Sequence, residues 1–169
     1  EGKNDGVRRL YITDTNVGAK SPEYSWNGSS WALTSTFTVR GVLALAAGKG
    51  RNDGIVRLYG GSTKWGSGTD TYLREFTWEG STWTEIVVAS LTEQGNYDNA
   101  IYWATNDLLV SDVRGDGKFR VYSAGQDGAL REFMWTGSGW QETVIAKVPG
   151  AVTALSSGAA RSGRGGRRS

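Results

Sequence analysis

RVYSAGQDGALREFMWTGSGW, residues 120–140, holds the triplet Arg120-Val121-Tyr122 followed by Glu-x-x-Trp-x-Gly-x-x-Trp, written as Glu132, Trp135, Gly137 and Trp140. The same pattern stands twice upstream. Arg9-Leu10-Tyr11 precedes Glu23, Trp26, Gly28 and Trp31, and Arg57-Leu58-Tyr59 precedes Glu75, Trp78, Gly80 and Trp83. A pattern rewritten at intervals of tens of residues marks a repeat architecture, and it decides the fold before any single element is assigned.

Each copy reads as short strands separated by turn signals. In the second copy strands are expected at 42–47, 55–59, 72–78 and 83–89, with Asp53-Gly54 a hairpin signal and Glu79-Gly80-Ser81 a turn. The third copy repeats the order at 108–112, 119–123, 129–135 and 140–148. Four antiparallel strands per unit, repeated, is the sequence of a β-propeller blade. A sandwich or barrel is the competing all-β reading, though neither calls for such regular recurrence.

The expected organisation is an all-β chain of propeller repeats over 1–158 and a basic Gly/Arg tail over 159–169. Blade 1 takes 1–40 and lacks its first strand; blade 2, with insertions, takes 41–107; blade 3 takes 108–150; 151–158 is a closing strand. The closing segment AVTALSS at 151–157 resembles GVLALAA at 41–47, a first strand without its blade. Three blades are fewer than the roughly four of the smallest usual propellers. The expectation is half of a six-bladed ring, completed by a second copy or a partner subunit. The spacing is uneven, 48 residues from Tyr11 to Tyr59 and 63 from Tyr59 to Tyr122. The excess lies at 60–71 and 91–106, the latter carrying Tyr97, Tyr102 and Trp103, and long aromatic loops on a rigid frame are contact surfaces.

Composition excludes several functions. The 169 residues contain neither cysteine nor histidine, which removes disulfides, thiolate metal sites and the commonest general base. The only methionine is Met134, which reads as a processed product or a piece of a longer chain. No apolar run approaches the ~20 residues of a membrane span. Four of the 19 basic residues are arginines of the tail, which has no acid; the body holds 15 basic and 17 acidic residues. The body therefore lacks a nucleic-acid footprint, and only the tail has the composition of an arm for nucleic acid or an anionic surface. Asp5, Asp53 and Asp116 each stand in an Asp-Gly turn, but one acid per turn falls short of a calcium shell. No cofactor is implied. Glu23, Glu75 and Glu132 recur once per repeat, whereas an active site uses a unique constellation, so no enzyme is expected.

The repeated charges and indoles have a chemistry of their own. Sugar hydroxyls take charge-assisted hydrogen bonds from Arg and Glu, and the apolar C–H face of the ring packs on indole. A buried Arg–Glu pair with Trp as repeat-to-repeat packing is the other reading of the same residues.

Arg-x-Tyr followed by Glu-x-x-Trp-x-Gly-x-x-Trp resembles the six-bladed fucose-binding lectins of fungi and soil bacteria. The resemblance implies sugar sites between blades, with Arg and Glu of one blade on the hydroxyls and Trp of the next beneath the ring. Arg9 and Glu23 would face Trp78 and Trp83; Arg57 and Glu75 would face Trp135 and Trp140. Arg120 and Glu132 would need Trp26 and Trp31 of another chain. The match covers the middle strands of all three copies. The third, with 12 residues from Arg120 to Glu132, is nearest the family; the first has 14 and the second 18. The expected function is a multivalent lectin for fucose-like sugars, extracellular if so; the alternative is a non-catalytic propeller scaffold in a larger assembly.

Overall fold

A computed structural model describes residues 2–13, 20–38, 42–62, 72–90 and 105–158. Residues 63–71 and 91–104 of the two insertions, with Tyr97, Tyr102 and Trp103, and the basic tail lie outside the described residues.

The chain is all-β, in three antiparallel sheets. Sheet I orders β1 (Arg9–Tyr11), β2 (Lys20–Trp26) and β3 (Trp31–Thr38). Sheet II orders β4 (Val42–Gly48), β5 (Arg57–Ser62), β6 (Tyr72–Trp78) and β7 (Trp83–Ser90). Sheet III orders β8 (Thr105–Ser111), β9 (Arg120–Gly125), β10 (Ala129–Trp135) and β11 (Trp140–Lys147). Each sheet is thus a simple meander, and each corresponds to one sequence repeat.

The Trp-x-Gly-x-x-Trp motif is a hairpin end. Trp26 pairs across the ladder with Trp31, Trp78 with Trp83, and Trp135 with Trp140. Four residues join each pair, and the second is a glycine with φ between 85° and 103° in all three turns, a backbone that a side chain would strain. The paired indoles meet at 5.3 to 5.6 Å between ring centroids, inclined at 60° to 65°. Edge-on pairs of this kind add ~1 kcal/mol beyond their burial.

The Arg-x-Tyr strands begin later than their apolar residues suggest, at Arg57 rather than 55 and at Arg120 rather than 119. Ile55 and Phe119 instead belong to the connection that carries the Asp-Gly turn. β8 begins at Thr105, before the expected boundary at 108, because Thr105 is buried and pairs with Gly125.

Sheet II packs on both neighbours. Phe37, Val42, Leu58 and Phe76 form one core with Tyr11 and Trp83 on the side of sheet I. Ala44, Tyr59, Leu73, Leu108, Val121 and Phe133 form the other, on the side of sheet III. That is why every residue of β5 is buried, although strand side chains alternate between faces. Glycine allows the inner strands to close up: a Cβ on Gly61 would stand 2.3 Å from the Thr105 Cβ.

The segment 151–158 belongs to no sheet. It lies along β8, with Asn106 Nδ2 donating to the Val152 carbonyl at 2.8 Å and the Leu155 amide donating to Asp107 Oδ2 at 2.7 Å.

Candidate functional site

Each Arg-x-Tyr strand is preceded by four residues of constant design. They are Lys3-Asn4-Asp5-Gly6, Arg51-Asn52-Asp53-Gly54 and Arg114-Gly115-Asp116-Gly117. The second residue is left-handed in every copy, with φ of 56°, 61° and 67°, which Asn tolerates and Gly adopts freely. The aspartate then accepts from the backbone amide two residues on, at 3.1, 3.1 and 3.0 Å. It also takes both terminal nitrogens of the arginine four residues on. Arg57 meets Asp53 at 2.8 and 2.7 Å, Arg120 meets Asp116 at 2.9 and 2.6 Å, and Arg9 grips Asp5 in the same way. This planar fork favours the ionised carboxylate. The Arg9 hydrogen bonds hold Asp5 down at about 2, and those of Arg57 lower Asp53 likewise.

The glutamates lie deeper. Glu75 is buried and stands 2.7 Å from an Arg51 nitrogen, accepts from the Tyr59 hydroxyl at 3.1 Å, and lies 3.5 Å from Arg57 Nε. Glu132 has the matching set, with Arg114 at 2.7 Å, Tyr122 at 3.0 Å and Arg120 Nε at 3.7 Å. Glu23 is held by Lys3, Arg9 Nε and the Thr34 hydroxyl, each at 3.0 Å. Burial, reinforced by the Glu75 charge, pushes the Tyr59 phenol far up; the same causes, with the Glu132 hydrogen bond second after burial, push Tyr122 up to about 12.

In the first two copies the first residue of the four-residue turn reaches the next repeat. Lys3 Nζ lies over the Trp78 ring at 4.3 Å, and the Arg51 guanidinium lies over Trp135 at 4.1 Å. Tyr11 meets Trp83 edge-on at 6.1 Å, and Tyr59 meets Trp140 at 5.9 Å. The lectin resemblance implied Arg9 and Glu23 against Trp78 and Trp83, and Arg57 and Glu75 against Trp135 and Trp140. In the structure Lys3 and Arg51, which pair with Glu23 and Glu75, are the side chains that lie over Trp78 and Trp135. Arg9 and Arg57 point instead to their own turns. Arg120 and Glu132 have no indole above them among the described residues; Arg114 is 56 % exposed there. Trp26 and Trp31 are 50 % and 47 % exposed, and no cation from the described residues lies over either.

Asn4 and Asn52 complete the junctions. Asn4 accepts from the Val56 amide at 2.6 Å and donates to its carbonyl at 2.9 Å; Asn52 treats Phe119 alike, at 2.6 and 3.0 Å. Lys3, Arg51, Asn4, Asn52 and the three aspartates were not among the expected site residues. Their signal was present, since basic residue, Asp and Arg keep the same offsets in all three copies.

One open cleft adjoins this network. It lies between β3 and the β6–β7 hairpin, measures about 380 Å³, and is lined by Ser35, Thr36, Phe37 and Thr38 on one side and Trp78, Ser81, Thr82 and Trp83 on the other. Lys3 stands at its wall, donating to the Ser35 hydroxyl at 3.2 Å. Counted from the hairpin Trp, β7 carries Val87-Val88-Ala89-Ser90 where β3 carries Ser35-Thr36-Phe37-Thr38. At the second junction Val88 and Ala89 pack against the core that includes Trp140. At the first junction Thr36 thus stands in the place of the packed Val88, and the buried Phe37 in the place of Ala89. No group of three or more Asp and Glu among the described residues is placed to hold a metal ion. Comparisons with protein-family models, with curated proteins and with solved structures found no match to this chain.

Proposed function

We propose that the chain is a non-catalytic, carbohydrate-binding repeat module whose three sheets are blades of a β-propeller, with fucose-like sugars as the ligand class. The observation that carries this reading is the cleft at the first junction, about 380 Å³, which counts five Ser and Thr residues and two Trp among those that line it. That is the size of a small-ligand site. A monosaccharide matches its chemistry: ring C–H groups pack on indole and its hydroxyls exchange hydrogen bonds with Ser, Thr and the Lys3 ammonium. The Arg–Glu pairs serve as the frame that holds Lys3 and its Trp78 wall in place.

A glycan array and a calorimetric titration with a methyl fucoside test this. Fucosylated hits that vanish in Thr36→Lys and Thr82→Lys, both at exposed positions of the cleft, support the site. A blank array from folded protein overturns it. That outcome favours the second reading, a propeller scaffold, for which one observation speaks: the cations and carboxylates of the first two junctions are already paired within the chain.

A further inference from the structure

We propose that a second copy of this chain docks head to tail, its three-stranded first sheet taking residues 151–158 of the first copy as a fourth strand. β5 and β9 each pair on one side with an inner strand, β4 or β8. Their counterpart β1 pairs only with β2 among the described residues, so its other edge stands ready for a strand. Residues 151–158 read AVTALSSG, against GVLALAAG at 41–48, which contains β4. They already lie on β8, tied by Asn106, Asp107 and a 3.1 Å contact between the Ser111 and Ser157 hydroxyls. β8 in turn lies on β4. The segment therefore occupies the place of the next inner strand, with no second strand beside it among the described residues.

The internal junctions show what fits there. A Cβ on Gly50 would stand 3.0 Å from the Val121 side chain, and Arg51 lies over Trp135. At the far face of the third repeat the matching place is an open cleft of about 420 Å³, bounded by Val113, Arg114, Gly115 and Ser157. Leu10, the β1 counterpart of Val121, is 48 % exposed, and Trp26 and Trp31 are exposed. On docking, Leu10 fills the cleft, Trp26 slides under Arg114, and Trp31 meets Tyr122. This contact is heterologous, using different surfaces on the two copies. It lacks two elements: Gly115 stands where Asn4 and Asn52 clasp the following repeat, and Val113 stands where Gly2 and Gly50 leave room, so association is weaker than the internal junctions and depends on concentration.

The register follows from Ala47 opposite Leu58, which puts Ser157 opposite Leu10. The chain has no cysteine, so introduced ones report cleanly. Samples of Leu10→Cys and Ser157→Cys, both outside the buried core and checked for parental melting, are mixed under mild oxidation. The expected product is a disulfide-linked pair of twice the 18.2 kDa chain mass, formed only in the mixture. No mixed dimer from folded samples overturns the proposal. So does a double variant that cross-links within one chain and stays monomeric by sedimentation, because the strand would then close on its own copy.

Discussion

Arg51 lies over Trp135, its guanidinium carbon 4.1 Å from the ring centroid, with one nitrogen 2.7 Å from the buried Glu75. The cation and carboxylate belong to the second repeat and the indole to the third. One side chain thus neutralises a buried charge and joins two sheets.

Arg51→Ala removes both contacts and leaves Glu75 with the Tyr59 hydroxyl and, as its remaining cation among the described residues, Arg57 at 3.5 Å. The expected loss is roughly 2 kcal/mol, below the full cost of an unpaired buried charge because Arg57 remains. Urea unfolding of parent and variant measures it. Arg51→Lys recovers most of the loss, since Lys3 performs the same task in the first repeat.

Asn52 tests the clasp separately from its backbone. Asn52→Gly keeps the left-handed φ of 61° but loses both bonds to Phe119, at an expected cost of about 1–2 kcal/mol. Asn52→Ala adds backbone strain and lies lower still. Equal melting of the two variants would remove the conformational part of the argument.

Acid should loosen the turns. Asp5 and Asp53 have folded pKa values below their unfolded ones, so their contribution is complete above an ordinary carboxylate pKa of roughly 4. It fades as pH falls through the folded value, about 2 for Asp5. Melting temperature followed from pH 6 to pH 2 should drop in that lower window. Asp53→Asn should start lower and fall less steeply.

The inner strands are closed on each other, so Gly61→Ala forces its new methyl onto Thr105 and costs roughly 1–3 kcal/mol by overpacking. Gly139→Ala, with nothing within 4 Å, stays within about 0.5 kcal/mol of the parent. Thermal melts of both variants decide whether the close approach is as drawn.

Much of the fold was legible because its signals are local. The Trp-x-Gly-x-x-Trp spacing is the hairpin itself, four residues between two facing indoles with glycine in the strained place. Period-two alternation then located β6 and β10 to the residue. The candidate site was less legible. The Asp–Arg offset of four recurs in every copy, but nothing local says that Arg51 crosses to the next sheet. Arg51 precedes β5 and Arg57 opens it, and the packing of the sheets separates their roles. The hydroxyl-lined cleft was invisible for the same reason: Ser35 and Thr36 join Ser81 and Thr82 only across the first junction.

The two clasping asparagines grip the peptide groups of Val56 and Phe119, not their side chains. Any residue but proline offers that N–H and C=O, so the clasp itself, unlike the cation over Trp, asks for no particular side chain in the repeat that follows. Gene duplication and unequal crossover can therefore lengthen, shorten or shuffle such an array one unit at a time, and each unit remains free to change its exposed side chains independently.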